Sequence, residues 1–150
     1  MKRLFQTLTA ALVLGTFVSV ESAAAEPAAT VRVEVTGLRN TTGQVGCLLF
    51  NAPKGFPEDY SLAYRQVIAP ITGTQATCEF KDAPPGTYAF IVLHDENMNG
   101  KMDKNFFGIP TEGYVASNNV RHAMSAPEFT ESSFAVKAGA LTNMKAQVGY

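Results

Sequence analysis

Clustered basic charge is what the sequence most clearly lacks. Of its 150 residues, 12 are Lys or Arg and 13 are Asp or Glu, a formal net charge of −1. No stretch gathers Lys and Arg into the patch that nucleic acid or an anionic membrane surface requires. Cysteine is scarce: Cys47 and Cys78 are the only two, and they are too far apart to form the CxxC pair of a disulfide oxidoreductase. No GxSxG elbow marks a hydrolytic nucleophile, and neither HExxH nor a paired Cys/His spacing marks a zinc site. No helical stripe of useful length appears after residue 25, so whatever core exists must be built from strands.

What is present begins with an export signal. Met1-Lys2-Arg3 is followed by the apolar run LFQTLTAALVLGTFVSV and by Ala23-Ala24-Ala25 ahead of Glu26 and Pro27, which predicts a secretory signal peptide over residues 1–25. The run is short, holds Gln6, Thr7 and Thr9, and lacks a basic stop-transfer flank, so a transmembrane anchor is not expected. No Cys stands at the expected cut to carry a lipid. The expected location is therefore periplasmic or secreted. Without Lys2, Arg3 and Glu21, the 12 basic and 13 acidic residues become 10 and 12, a net charge of −2. Residues 26–150 are enough for a single domain with an ordinary core. In an oxidising compartment Cys47 and Cys78 read first as a disulfide, with two separate buried thiols as the alternative.

The strand pattern is strong in most of the remaining chain. Val31, Val33 and Val35 alternate with Arg32, Glu34 and Thr36, and Val45, Cys47 and Leu49 share a face after the turn-like RNTTGQ, predicting a hairpin. A short helical turn is expected around residues 58–64, then an extended RQVIAPI. Ala76, Cys78 and Phe80 share the next face. Pro84-Pro85-Gly86 feeds the strongest strand, with Tyr88, Phe90, Val92 and His94 on one side and Ala89, Ile91, Leu93 and Asp95 on the other. Tyr88 is placed to fix the start of that strand by a hydroxyl bond to nearby backbone. Residues 96–133 show no sustained period and predict a long loop region, after which SSFAVKAG and LTNMKAQVGY return to strand. About seven strands of this kind predict an all-β, antiparallel β-sandwich of immunoglobulin-like or transthyretin-like type.

The long loop opens with HDENMNGKMDKN. Counting Asp95 as position 1 puts Asn97 at 3, Asn99 at 5, Gly100 at 6, the Lys101 carbonyl at 7 and Asp103 at 9, the ligand spacing of an EF-hand-type calcium loop. A hard cation needs six to eight oxygens, and alternate side chains of a tightly turning loop converge on one point. Position 12 is Phe106 rather than a bidentate Glu, so a further ligand must come from Glu112, the nearest, or from Glu58, Asp59 or Asp82. Only two carboxylates are certain, which implies weak calcium binding. The competing reading is that Asp and Asn cap their own backbone in successive Asx-turns and hold no ion. Downstream, Phe106, Phe107, Ile109, Glu112 and Tyr114 form a candidate binding surface. Packing of the apolar members over the end of the sandwich is the commoner outcome for such a segment, and Ser117, Asn118 and Asn119 read as turn and capping residues.

LHDENMNGKMDKNFFGIPTEGY, with SNN at 117–119, PEF at 127–129, and the upstream GLRNTTGQVGCLLF and FKDAPPGTYAFIV, resembles the exported bacterial family called domain of unknown function 2141. The resemblance covers nearly the whole chain after residue 25. It implies an exported β-domain of sandwich type and no particular activity.

The expected function is thus a non-enzymatic binding or interaction module of the cell envelope with a calcium loop, meeting an envelope or extracellular ligand and no nucleic acid. Two alternatives belong to other classes. One is a small secreted hydrolase using His94 or His122 with Ser117 or Ser125, although His94 reads better as a hydrogen-bonded structural residue. The other is a structural or adhesive envelope component.

Overall fold

The structure, a computed structural model, describes residues 26–150. The expected signal peptide at residues 1–25 lies outside the described residues. Eight strands run in the order β1 (Ala29–Thr36), β2 (Gln44–Phe50), β3 (Arg65–Ala69), β4 (Ala76–Ala83), β5 (Gly86–Asp95), β6 (Gly113–Ala116), β7 (Phe134–Val136) and β8 (Leu141–Gln147), with one four-residue helix, α1 (Phe129–Ser132). They make a three-stranded sheet, β4-β1-β8, and a five-stranded sheet, β3-β2-β5-β6 with β7 also on β5. Among the described residues no helix is long and apolar enough to cross a membrane.

One core lies between the sheets. Val31, Val33 and Val35 of β1 and Phe80 of β4 meet Val45 and Leu49 of β2 and Phe90 and Val92 of β5, all essentially without solvent contact. The period-two alternation read from the sequence is the cause, since side chains of one parity point to one face. The expected disulfide is present: Cys47 on β2 and Cys78 on β4, with Cα atoms 6.4 Å apart, bind one sheet to the other. The Tyr88 hydroxyl donates to the Pro84 carbonyl at 2.8 Å, the bond expected at the start of β5.

Three expectations about architecture are corrected. β1 and β2 are not a hairpin but belong to different sheets. The second parity decides this: β1 carries Arg32, Glu34 and Thr36 outward and suits a face open to water, whereas β2 carries Leu48 and Phe50 outward and must be covered. Gly43, with φ +79°, makes the crossing: a Cβ there would stand 2.1 Å from the Asp95 carbonyl oxygen. The sheets are also not wholly antiparallel, because β1 and β8 pair in parallel from Thr30↔Leu141 to Thr36↔Gln147. A parallel pair needs a long connection, and here everything between the first and last strands supplies it.

The third correction concerns residues 96–133, which are not structureless. β6 lies within them and pairs with β5 through Val92↔Val115 and Leu93↔Tyr114, and α1 follows. The reason lies in β5, whose residues from Tyr88 to Asp95 are all buried. Its outer parity, with Leu48, Phe50, Tyr114 and Ala116, forms a second apolar cluster against which Phe56, Tyr60, Met102, Val120 and Phe129 pack. Phe56 is the keystone of that layer, with Phe50 at 5.3 Å and Phe129 at 5.8 Å in edge-on contact. The segments that lacked period in the sequence are therefore a lid over the five-stranded sheet.

Candidate functional site

The loop after β5 starts from a buried carboxylate. Asp95 is 1% exposed, and its two oxygens accept from the Asn99 amide at 3.0 Å, the Gly100 amide at 2.9 Å and the Gln44 side chain at 2.9 Å. Charge-assisted bonds of this kind bend the chain back on itself. Asn97 and Asn99 continue the winding as Asx-turns, accepting from the Asn99 amide at 3.1 Å and the Lys101 amide at 2.8 Å. Both then direct their amide nitrogens at Asp103, at 2.6 and 3.0 Å. The structure thus brings Asp95, Asn97, Asn99 and Asp103 onto one turn, in the order that the spacing predicted.

Of the four residues considered for the missing ligand, one reaches the loop. Glu112 is 5% exposed, and its carboxylate accepts from the Glu96 amide at 2.9 Å and the Asp103 amide at 3.2 Å, closing the loop base. Glu58 pairs with Lys104 at 2.6 Å, Asp59 caps the 3₁₀ turn Tyr60–Leu62 through the Ser61 amide at 3.2 Å, and Asp82 stands exposed on β4. Among the described residues, no three His, Cys, Asp or Glu side chains stand close enough together to hold a metal ion. The donors available to a cation are thus two carboxylates, two side-chain amides and the Lys101 carbonyl, with Glu112 as a brace. Turning over the two Asn amides would present oxygens where nitrogens now meet Asp103, at the expense of two Asx-turn bonds. That set suits a hard, oxygen-seeking ion and no softer metal.

Between Asp103 and Thr111 the chain makes a small hairpin. Thr111 donates to the Asp103 carbonyl at 2.8 Å and Asn105 to the Ile109 carbonyl at 2.8 Å, while the Asn105 side chain accepts from the Phe107 and Ile109 amides at 2.9 and 3.0 Å. Gly108, with φ +77°, turns the tip. The commoner outcome for the apolar residues here was packing, and the structure divides them. Tyr114 is buried on β6 and bonds the His122 carbonyl at 2.9 Å, but Phe106 is 97% exposed, Phe107 81% and Ile109 43%. A well-bonded tip that carries two unburied aromatic rings presents them to solvent by construction.

Beside this hairpin opens a cleft of about 780 Å³, within the usual range of small-molecule sites. Its floor is Ile91 and Tyr114 of the five-stranded sheet. Around that floor stand Gly100, Lys101, Met102 and the Phe107–Pro110 turn, the segment with Pro57 and Tyr60, and residues 122–127. Burial pushes the Tyr60 phenol up to about 12. Tyr60, Ile91, Met102 and Met124 were not singled out in the sequence because they come together from four separate segments. The one available signal was the apolar outward parity of β5, which required a cover.

Among the described residues neither histidine side chain bonds a serine hydroxyl. His94 is fully buried, its Nε2 donating to the Thr42 carbonyl at 2.8 Å and its Nδ1 accepting from the Tyr150 hydroxyl, which itself accepts from the Arg39 amide at 3.0 Å. It is a structural residue with both nitrogens engaged. His122 lies on the cleft wall, half in solvent, paired with Glu131 at 2.7 Å. Its Glu131 carboxyl is held below the usual range, first by the Glu128 amide and then by His122. Ser117 is buried, accepting from the Phe90 amide at 3.0 Å and donating to the Ser132 carbonyl. Asn118 bonds the Glu131 and Ser133 carbonyls, each at 3.0 Å, and Asn119 accepts from the Gln147 amide at 2.8 Å. The SNN turn is a staple, as its composition suggested.

A family model described as "Uncharacterized protein conserved in bacteria (DUF2141)" matches residues 33–144, from within β1 to within β8. The match includes the loop, the hairpin and the whole cleft. No curated protein matches, and no solved structure does. The chain belongs to that bacterial family.

Proposed function

We propose that this member of the bacterial family is an exported, non-enzymatic binding module of the cell envelope, which holds calcium in the Asp95–Asp103 turn and takes a ligand in the cleft beside it. The observation that carries the reading is that one segment serves both: residues 95–103 wind into the oxygen-rich turn, and Gly100, Lys101 and Met102 of that same turn form a wall of the cleft. Calcium is abundant outside the cytoplasm, and a site with two carboxylates suits the weak extracellular range of roughly 10⁻⁴ to 10⁻³ M. Ion binding would tighten a turn otherwise closed by its own amides, and so fix the wall against which a ligand packs.

Heating the protein in calcium and in chelator tests this. With calcium about tenfold above its Kd, binding to the native state alone raises stability by about 1.4 kcal/mol, a rise of several degrees in Tm. Asp103→Ala removes the rise, whatever it does to the Tm in chelator. Magnesium substitutes poorly because it prefers a small rigid octahedron and keeps its water. A Tm indifferent to calcium well above millimolar would leave HDENMNGKMD a self-capped turn. Ester turnover abolished by His122→Ala would replace the binding reading with a hydrolytic one.

A further inference from the structure

The cleft's charges do not cancel evenly. Glu58 and Lys104, both on its rim, satisfy each other at 2.6 Å, and His122 faces Glu131 at 2.7 Å. Lys101 lines the same cleft and makes no ion pair among the described residues. Among the described residues Glu58 is the one acidic residue that lines the cavity. The remainder of the surface is mainly apolar: Tyr60, Ile91, Met102, Phe107, Ile109 and Tyr114. A desolvating apolar trough with one uncompensated ammonium at its wall complements a ligand with an apolar body and a single negative charge. A cationic ligand would meet Lys101 and find Glu58 already engaged, and a neutral apolar one would gain nothing from the ammonium.

We infer that the cleft takes a monomeric anionic amphiphile, an acyl or aryl chain ending in one carboxylate or comparable acid group, with Lys101 holding the head and the Met102, Phe107 and Tyr114 side chains enclosing the chain. This rests on the cleft being a ligand site. It adds the sign of the charge and the nature of the body. Phe107 lines the cleft with its ring largely exposed, where it would cover part of the chain that the trough leaves uncovered. On this proposal Lys101 has two separate uses, its carbonyl for calcium and its ammonium for the head of the ligand.

The test uses the full exported chain and three probes of equal length, dodecanoate, dodecanol and dodecylamine, each kept below micelle formation. Methyl signals of Met102 and Met124, which line the cleft, report binding, and Met144 on β8 serves as the control. Dodecanoate is expected to shift the first two and not the third, and to bind about three- to tenfold more tightly than dodecanol, the range for a part-exposed charged hydrogen bond. Dodecylamine is expected to be weakest. Lys101→Gln, which removes the charge and keeps a polar side chain at an exposed position, brings dodecanoate down to dodecanol. Equal binding of dodecanoate and dodecanol, or a preference that survives Lys101→Gln, would overturn the anionic assignment and leave the cleft a site for neutral ligands. Failure of all three probes to move Met102 or Met124 would overturn the cleft reading itself. Co-sedimentation with phosphatidylglycerol vesicles, without response to monomeric dodecanoate, would overturn the proposal in favour of a membrane surface.

Discussion

The two sheets share a core but differ on their outer faces. The three-stranded sheet turns Arg32, Glu34, Thr77 and Glu79 to water, and nothing among the described residues covers them. The five-stranded sheet turns Leu48, Phe50 and Ile91 outward and buries them under two irregular segments. A sheet with one wet face needs only alternation, while a sheet apolar on both faces needs a further layer. In this protein that layer is made of loops, and loops can carry bonded turns, exposed rings and a cleft that strands cannot. The candidate site lies where the sheet demanded a cover.

The largest expected effect breaks that cover. Phe50→Ala removes a fully buried ring from the outer cluster and its contact with Phe56, at a cost of about 3–5 kcal/mol. Glu34→Ala, on the outer face of the other sheet, stays within about 0.5 kcal/mol. Urea midpoints compare the two directly. Equal midpoints would mean that the loops rest on the sheet without packing.

Next in size is the tie between the sheets. Cys47 and Cys78 are 31 residues apart in sequence, and closing a loop of that length contributes about 3–4 kcal/mol in the chain-entropy model. Free-thiol titration of the unreduced, unfolded protein is expected to find no thiols, and Cys78→Ala to lower the urea midpoint accordingly. Two titratable thiols would remove the bond from the account.

The smallest effect compares two ion pairs, Arg39–Glu96 in the loops that follow β1 and β5 and Arg32–Glu79 on the open face of the three-stranded sheet. Arg39 holds the Glu96 carboxyl below the usual carboxylate range, and Arg32 does the same for Glu79 across β1 and β4. A carboxyl with a depressed folded value contributes stability that is complete above the unfolded value of about 4.3 and is lost as pH falls through the folded one. The Glu96 side chain is 19% exposed and that of Glu79 33%, so water and salt screen the second pair more. Acid unfolding below about pH 4.3 is therefore expected to flatten more in Arg39→Ala than in Arg32→Ala. The reverse order would mean that the loop-side pair is no better shielded than the open one.

Legibility in the sequence followed the same division. Strands with one wet face were plain, because Val31-Arg32-Val33-Glu34 has a single interpretation. β2 and β5 were recognised as strands, but the meaning of Leu48, Phe50 and Ile91 was missed, and with it the separation of β1 from β2 and the order within residues 96–133. β6 reads GYVA, too short for a period to declare itself. At the site, the Asp95–Asp103 turn was legible because its bonds are local and spacing alone dictates them. Glu112 was one of four candidates, and only the pairing of β5 with β6 brings it to the loop base. Of the cleft, the side formed by Phe107, Ile109 and Tyr114 was legible as a candidate surface, whereas Tyr60, Ile91, Met102 and Met124 are neighbours only after the lid has folded.

The central claim is that calcium in the Asp95–Asp103 turn organises the covered face and not the open one. Backbone amide spectra recorded across a calcium titration up to about 10 mM, above the weak extracellular range, measure this residue by residue. The account predicts saturable shifts at Asn99, Gly100 and Lys101 that carry into Met102, Phe107 and Tyr114, with Arg32, Glu34 and Lys145 of the three-stranded sheet unmoved. Shifts of equal size on both sheets, or none in the turn at saturating calcium, would contradict it.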